Sequence, residues 1–125
     1  FLFSAQGSGG EDPLRPIRKR SDEIYRLSLE MTHHGGEGHT DEIVRYGEEA
    51  VSQIEVLIQQ IQSSNSDRLD HPAKEKMIAS LKSTLEKIKE AIRLGKINDA
   101  KAALKAARSA SFQAQKSRQQ IHAIP

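Results

Sequence analysis

The sequence predicts an all-α fold, an antiparallel up-down-up-down four-helix bundle, on three observations. Apolar residues recur at helical spacing in four separate segments of the 125-residue chain. Hydrophobic residues make up 36% of the chain and aromatic residues only 4%. A core built from them is aliphatic and rich in alanine, which suits packed helices better than a sheet. The links between the segments are short, about six, eight and four residues, and short links force consecutive helices to lie side by side in opposite directions.

Residues 1–12 carry glycine, serine and acids without a period and read as a flexible lead-in to a bundle domain spanning 13–125. "FLF" resembles the end of a signal-peptide apolar region, and "AQG" has the small residues that flank a cleavage site. The lead-in therefore reads as the remnant of a signal peptide or as an added leader.

The first helix is expected from Pro13 or Pro16 to His34, with Leu14, Ile17, Ile24, Leu27 and Met31 on one stripe. Asp12 before Pro13 supplies a cap, and Pro16 is tolerated in a first turn whose N–H groups lack partners. The second is expected from Asp41 to Gln62 through Val44, Val51, Ile54, Leu57, Ile58 and Ile61. Thr40 is its expected N-cap, and Asp41 and Glu42 complement the positive end of its dipole. "SSNSDRLD" breaks the pattern. The third runs from Pro72 to Leu94 through Met77, Leu81, Leu85, Ile88 and Ile92. The fourth runs from Asn98 to His122 on a face of Ala100, Ala103, Leu104, Ala107, Ala110, Ala114 and Ile121, whose small residues allow close approach. A weak repeat pairs Gly36 or Gly38 with Gly95 and Asp41 with Asp99, which suggests two duplicated helical hairpins.

The stretch "HHGGEGHTDE", residues 33–42, holds three of the five histidines. The bundle topology puts it at one end, with His71 and His122 at the other, about 30 Å away by helix rise. Imidazole nitrogen with carboxylate oxygen is a ligand set for divalent copper, nickel or zinc. The candidate ligands are His34 and His39, then His33, Glu30, Glu37 and Asp41. Glu30 is placed to pair with His33 or His34 one turn away. Gly35 and Gly36 are expected to fold the chain back, bringing His39 or Glu37 over the helix end. The last carbonyls of the first helix favour a cation there.

The run "GGEGHTDEIVRYGEEAV" resembles the repeat of the small metal-binding protein family. These are periplasmic, histidine-rich four-helix bundles whose helical pairs are joined by a Gly-x-x-Gly-His-Thr/Ala-Asp turn. Gly35, Gly38, His39, Thr40 and Asp41 match the turn, and Glu48, Glu49 and Ala50 match the "H-A-E-E-A" run after it. The resemblance implies sequestration or buffering of divalent transition metals, copper above all, in the periplasm or outside the cell. The family's histidine in the second run is replaced by Tyr46, and the second turn has Lys96, Ile97 and Asn98 instead of glycine and histidine. What carries over is a histidine-poor member with low capacity, its ligands limited to His39 and His34.

A competing expectation is a helical interaction module that binds no metal and engages a protein partner through its charged faces. Between Glu37 and Glu55 six acids face one base, Arg45, and after Asp99 there are bases but no acid. The acidic second helix and basic fourth helix are expected on a diagonal, facing opposite sides. Nucleic-acid binding is not expected, because groove-reading motifs and stacking aromatics are absent and the acidic helix repels. The chain has no cysteine, no stretch long enough to span a membrane, and no nucleophile motif of an enzyme.

Overall fold

A computed structural model describes residues 12–125. The lead-in up to Glu11, and the signal-peptide reading with it, lies outside the described residues. Four helices follow: α1 (Arg15–Gly36), α2 (Thr40–Gln62), α3 (His71–Lys96) and α4 (Ala100–His122). Each packs on its neighbours in the chain, α1 closes the ring against α4, and α2 and α4 lie on a diagonal. Neighbours run antiparallel. Arg20, early in α1, bonds Gln60 late in α2 at 2.9 Å. Arg18 reaches the carbonyl of Ile124, while Thr32 reaches that of Ala107.

The core is drawn largely from the stripes that the helical spacing marks, but Val44, Val51, Ile58, Leu85, Ile92, Ala100 and Leu104 are only half-buried, while Ile43 and Ala50, outside the expected stripe of α2, are fully buried. Leu14, Ile17, Ile24, Leu27 and Met31 of the first segment are all buried, as are Ile54, Leu57 and Ile61 opposite them. On α4, Ala103, Ala107, Ala110 and Ala114 are buried, the first three fully enclosed. Gly47 is explained by the same packing: a methyl there would stand 2.7 Å from Ile92 Cγ1. Close contact between α2 and α3 thus outweighs the ~1 kcal/mol that mid-helix glycine costs. The buried hydroxyls are paired, Ser117 with Ser80 at 2.7 Å and Ser28 with the Tyr25 carbonyl at 2.7 Å, as buried polar groups must be. No helix of the described residues is long and apolar enough to cross a membrane.

The two hairpins are structural copies, displaced by sixty positions. Every residue from 31 to 63 is buried, half-buried or exposed as its counterpart from 91 to 123 is. The turns match in backbone as well. Gly38 has φ 80° and Asn98 φ 60°; the residues after them, His39 and Asp99, have ψ 78° and ψ 80°. The register corrects the sequence pairing: Gly35 corresponds to Gly95, and His39, not Asp41, to Asp99. The two aspartates, alike in sequence, serve different positions of the turn.

Three local expectations also change. The glycines Gly35 and Gly36 do not reverse the chain; α1 continues through them, and the reversal falls on residues 37–39. Thr40 is not the N-cap of α2, which is His39 with no capping side-chain bond. The Thr40 hydroxyl bonds instead across the bundle end to Asn98 Oδ1 at 2.9 Å, tying the two turns together. Asp12, assigned to the lead-in, is anchored: it accepts from the Leu14 N–H at 2.9 Å and pairs with Arg18 and Arg68.

Candidate metal centre

The α1–α2 turn is a Schellman motif, and that motif builds the site. The N–H of His39 donates to the His34 carbonyl at 2.9 Å and the N–H of Gly38 to that of Gly35 at 3.0 Å. This pairing needs a residue at positive φ, a place that suits glycine, and Gly38 fills it. It also brings together the side chains at the third-last helical position and two residues past the cap, which usually make an apolar contact. Here those side chains are His34 and His39, with ring centroids 5.8 Å apart. The cap residue between them is Glu37.

Glu37 is the hub. Its Oε1 stands 3.4 Å from His39 Nδ1 and 3.8 Å from His34 Nδ1, and its Oε2 3.8 Å from His33 Nε2. One ligand atom each from His34, Glu37 and His39 fall within 4.8 Å of one another. Ligands held ~2.0–2.2 Å from a four-coordinate ion stand ~3.3–3.6 Å apart, so two sides of this triangle are close to the spacing an ion needs. His34 Nδ1 is buried and has no hydrogen-bond partner, an uncompensated polar atom of the kind that costs stability unless a ligand or water satisfies it. Its donor set, two imidazoles and a carboxylate, fits a borderline divalent ion.

His34 is the most restrained of the three. Its side chain is 21% exposed, against 54% for His39 and 50% for Glu37. Tyr46 stacks on it with centroids 5.3 Å apart and planes 20° apart, and Arg45 lies 4.3 Å over the Tyr46 ring. Glu42 is nearby: the Arg45 guanidinium, bonded at 2.6 Å, holds its carboxyl below the usual range, and the histidine charges add to the effect.

Of the expected ligands, His34, Glu37 and His39 come together. His33 is beside them but not among the three, its ring edge-on to His34. Glu30 pairs with neither histidine; its charge acts on Arg26 instead. Asp41 lies exposed in the first turn of α2, outside the cluster. Tyr46 and Glu42 join the site beyond the expected ligands; His39, Glu42 and Tyr46 stand at i, i+3 and i+7, a spacing that shares one helix face. At the far end, His71 pairs with Glu75 at 3.1 Å and His122 with Asp22 at 2.7 Å.

The equivalent positions of the α3–α4 turn are Leu94, Ile97 and Asp99, so the same backbone there offers one carboxylate and no imidazole. Asp99 is used differently: it caps α4, accepting from the Ala102 N–H at 3.2 Å. Compared with protein-family models, curated proteins and solved structures, the chain matches none.

Proposed function

We propose that the protein binds a divalent transition-metal ion, copper before nickel or zinc, through His34, Glu37 and His39, and serves to sequester or buffer it in the periplasm or outside the cell. The observation that carries this reading is the convergence of three ligand atoms on one turn, with one of them, His34 Nδ1, buried and unpartnered. His33 stands beside them as a third imidazole. The site is half-exposed and has three groups on a single turn, which suits reversible, low-capacity binding better than a closed structural centre. The α1 carbonyl end favours the cation, and Glu37, Asp41 and Glu42 add negative field. The copper preference and the compartment rest on the resemblance of the turn to the small metal-binding protein family.

The test is calorimetric titration of chelator-stripped protein with Cu(II), Ni(II) and Zn(II), repeated with His34→Ala, His39→Ala and Glu37→Gln. Wild type is expected to bind one ion more tightly than ~100 μM, about 5.5 kcal/mol. Each histidine variant is expected to weaken this at least tenfold, about 1.4 kcal/mol. Affinity should also fall on acidification, because imidazole ligates only when deprotonated. Unchanged binding in both histidine variants would place the ion elsewhere.

A further inference from the structure

The two hairpins share a fold but carry opposite charge. Residues 1–70 hold thirteen of the seventeen acids, and residues 71–125 hold twelve of the nineteen lysines and arginines. The contrast is sharpest on the outer faces of α2 and α4. The exposed face of α2 presents Asp41, Glu48, Glu49 and Glu55, with Arg45 as its single base. At the corresponding face, α4 presents Lys101, Lys105, Arg108 and Lys116 and no acid. Among the described residues none of those four bases lies within ion-pair distance of a carboxylate. On α2, Glu48 reaches only Lys96, at 3.6 Å between two exposed side chains.

Each face also has an apolar residue in the open. Phe112 is 68% exposed in the middle of the basic stripe, and Val56 is 42% exposed beside Glu55. Phe112 borders a hollow of ≈ 400 Å³ whose other walls include Lys87, Lys105 and Arg108. A large exposed aromatic ringed by unpaired cations marks an interaction surface better than a solvated one.

The partner this surface fits is on the same chain. Thr40 and Asn98 meet at one end of the bundle, so α2 and α4 start at that end and run parallel. Because they occupy a diagonal, their outer faces look in opposite directions. We infer that the basic face of α4 docks on the acidic face of α2 of a second copy of this chain. A copy shifted sideways without rotation sets the two helices at matching heights, with Asp41 opposite Lys101 and Glu48 opposite Arg108. Phe112 then meets the Ser52–Val56 turn. The contact is heterologous, leaving one free face at each end, so it extends into short open chains rather than closing as a symmetric dimer. Its strength falls with salt, since the charges on both faces are exposed. This inference is independent of the metal site, and a chelator keeps the two apart in its test.

The experiment is sedimentation velocity with chelator present, on protein at about 0.5 mM in about 20 mM salt, where the Debye length is roughly 20 Å. Two neutralised variants are compared with wild type, Glu48→Ala/Glu49→Ala/Glu55→Ala and Lys101→Ala/Lys105→Ala/Arg108→Ala. All six positions are exposed on helices, where alanine is the best helix former, and circular dichroism checks each fold. Wild type is expected to exceed the mass of a dimer and to return to monomer at high salt. Each variant alone should remain monomeric. Their equal mixture should stop at a 1:1 dimer, because each retains one competent face. A monomeric wild type overturns the inference, as does self-association that either variant retains. If wild type stays monomeric yet binds anionic lipid vesicles through Lys105 and Arg108, the face belongs to a membrane surface and the second-copy reading is wrong.

Discussion

The α1–α2 turn and the α3–α4 turn have the same backbone and different side chains. Both are Schellman turns, both carry a positive-φ residue at the same place, and burial matches position by position through the helices around them. One holds His34, Glu37 and His39, and the other Leu94, Ile97 and Asp99. The fold needs an apolar or small stripe, a residue that tolerates positive φ and a satisfied helix end, and both turns provide these. Beyond that the side chains are free. In the second turn they serve stability, with Asp99 capping α4. In the first, His39 occupies the N-cap of α2 without making a capping bond, and His34 holds a buried nitrogen without a partner. The first turn forgoes stability that its counterpart takes, a pattern expected where residues answer to function.

The core should break the likeness most severely. Ile54 corresponds to Ala114, a large residue on one helix and a small one on the other. Ile54→Ala removes the large member and is expected to lower unfolding free energy by about 3 kcal/mol, within a range of ~2–5, as measured by urea denaturation. A loss under ~1 kcal/mol would mean that the core closes around the gap. Grafting comes next. Leu94→His/Ile97→Glu/Asp99→His copies the cluster into the second turn, and calorimetry should then find two ions per chain in place of one. A graft that folds but binds no second ion would show that the Schellman backbone alone does not position the ligands. The reverse exchange is smaller: His39→Asp should add about 1 kcal/mol of stability by restoring a cap while weakening metal binding. Tyr46→His, which puts an imidazole where Tyr46 stacks on His34, should tighten zinc binding.

Much of the fold was legible in the sequence. Four stripes at helical spacing and short links specify the bundle. The stripe of α1 is buried whole, whereas on α2 the core takes Ile43 and Ala50, one residue before the expected Val44 and Val51. The histidines sorted by topology alone, three at one end and two at the other. What was not legible was the turn. Glycines read as chain reversals, yet Gly35 and Gly36 are the last residues of α1, because a Schellman turn needs only one positive-φ residue and Gly38 supplies it. With the reversal expected at Gly35 and Gly36, Glu37 is one of several carboxylates; as the cap residue of the Schellman turn it is the hub. The repeat was visible only as a hint, since few residues are identical across it; its register is set by the turn backbone and the burial pattern.

The smallest expected effect is at the opposite end, where Asp12 ties the start of α1 to Arg68 of the α2–α3 link. Asp12 accepts from the Leu14 N–H and pairs with Arg68 and Arg18; the Leu14 bond first, then the two guanidiniums, hold its carboxyl down to about 2. Because the folded pKa is depressed, this contribution is fully present above the unfolded value of ~3.9 and is lost as pH falls through about 2. Asp12→Asn should therefore lower the melting temperature at neutral pH, with the gap to wild type closing between about pH 4 and pH 2. A gap that persists below pH 2 would assign the effect to lost hydrogen bonds and not to charge.

On the proposed reading one turn, not its copy and not the far-end histidines, holds the ion. Zinc titration followed by the histidine ring resonances in NMR tests it most directly. His34 and His39 are expected to shift together, saturate at one ion per chain, and leave His71 and His122 unmoved. Shifts that begin at His71 or His122, or no shift at His34 and His39 with zinc at about 1 mM, an affinity weaker than ~4 kcal/mol, would contradict it.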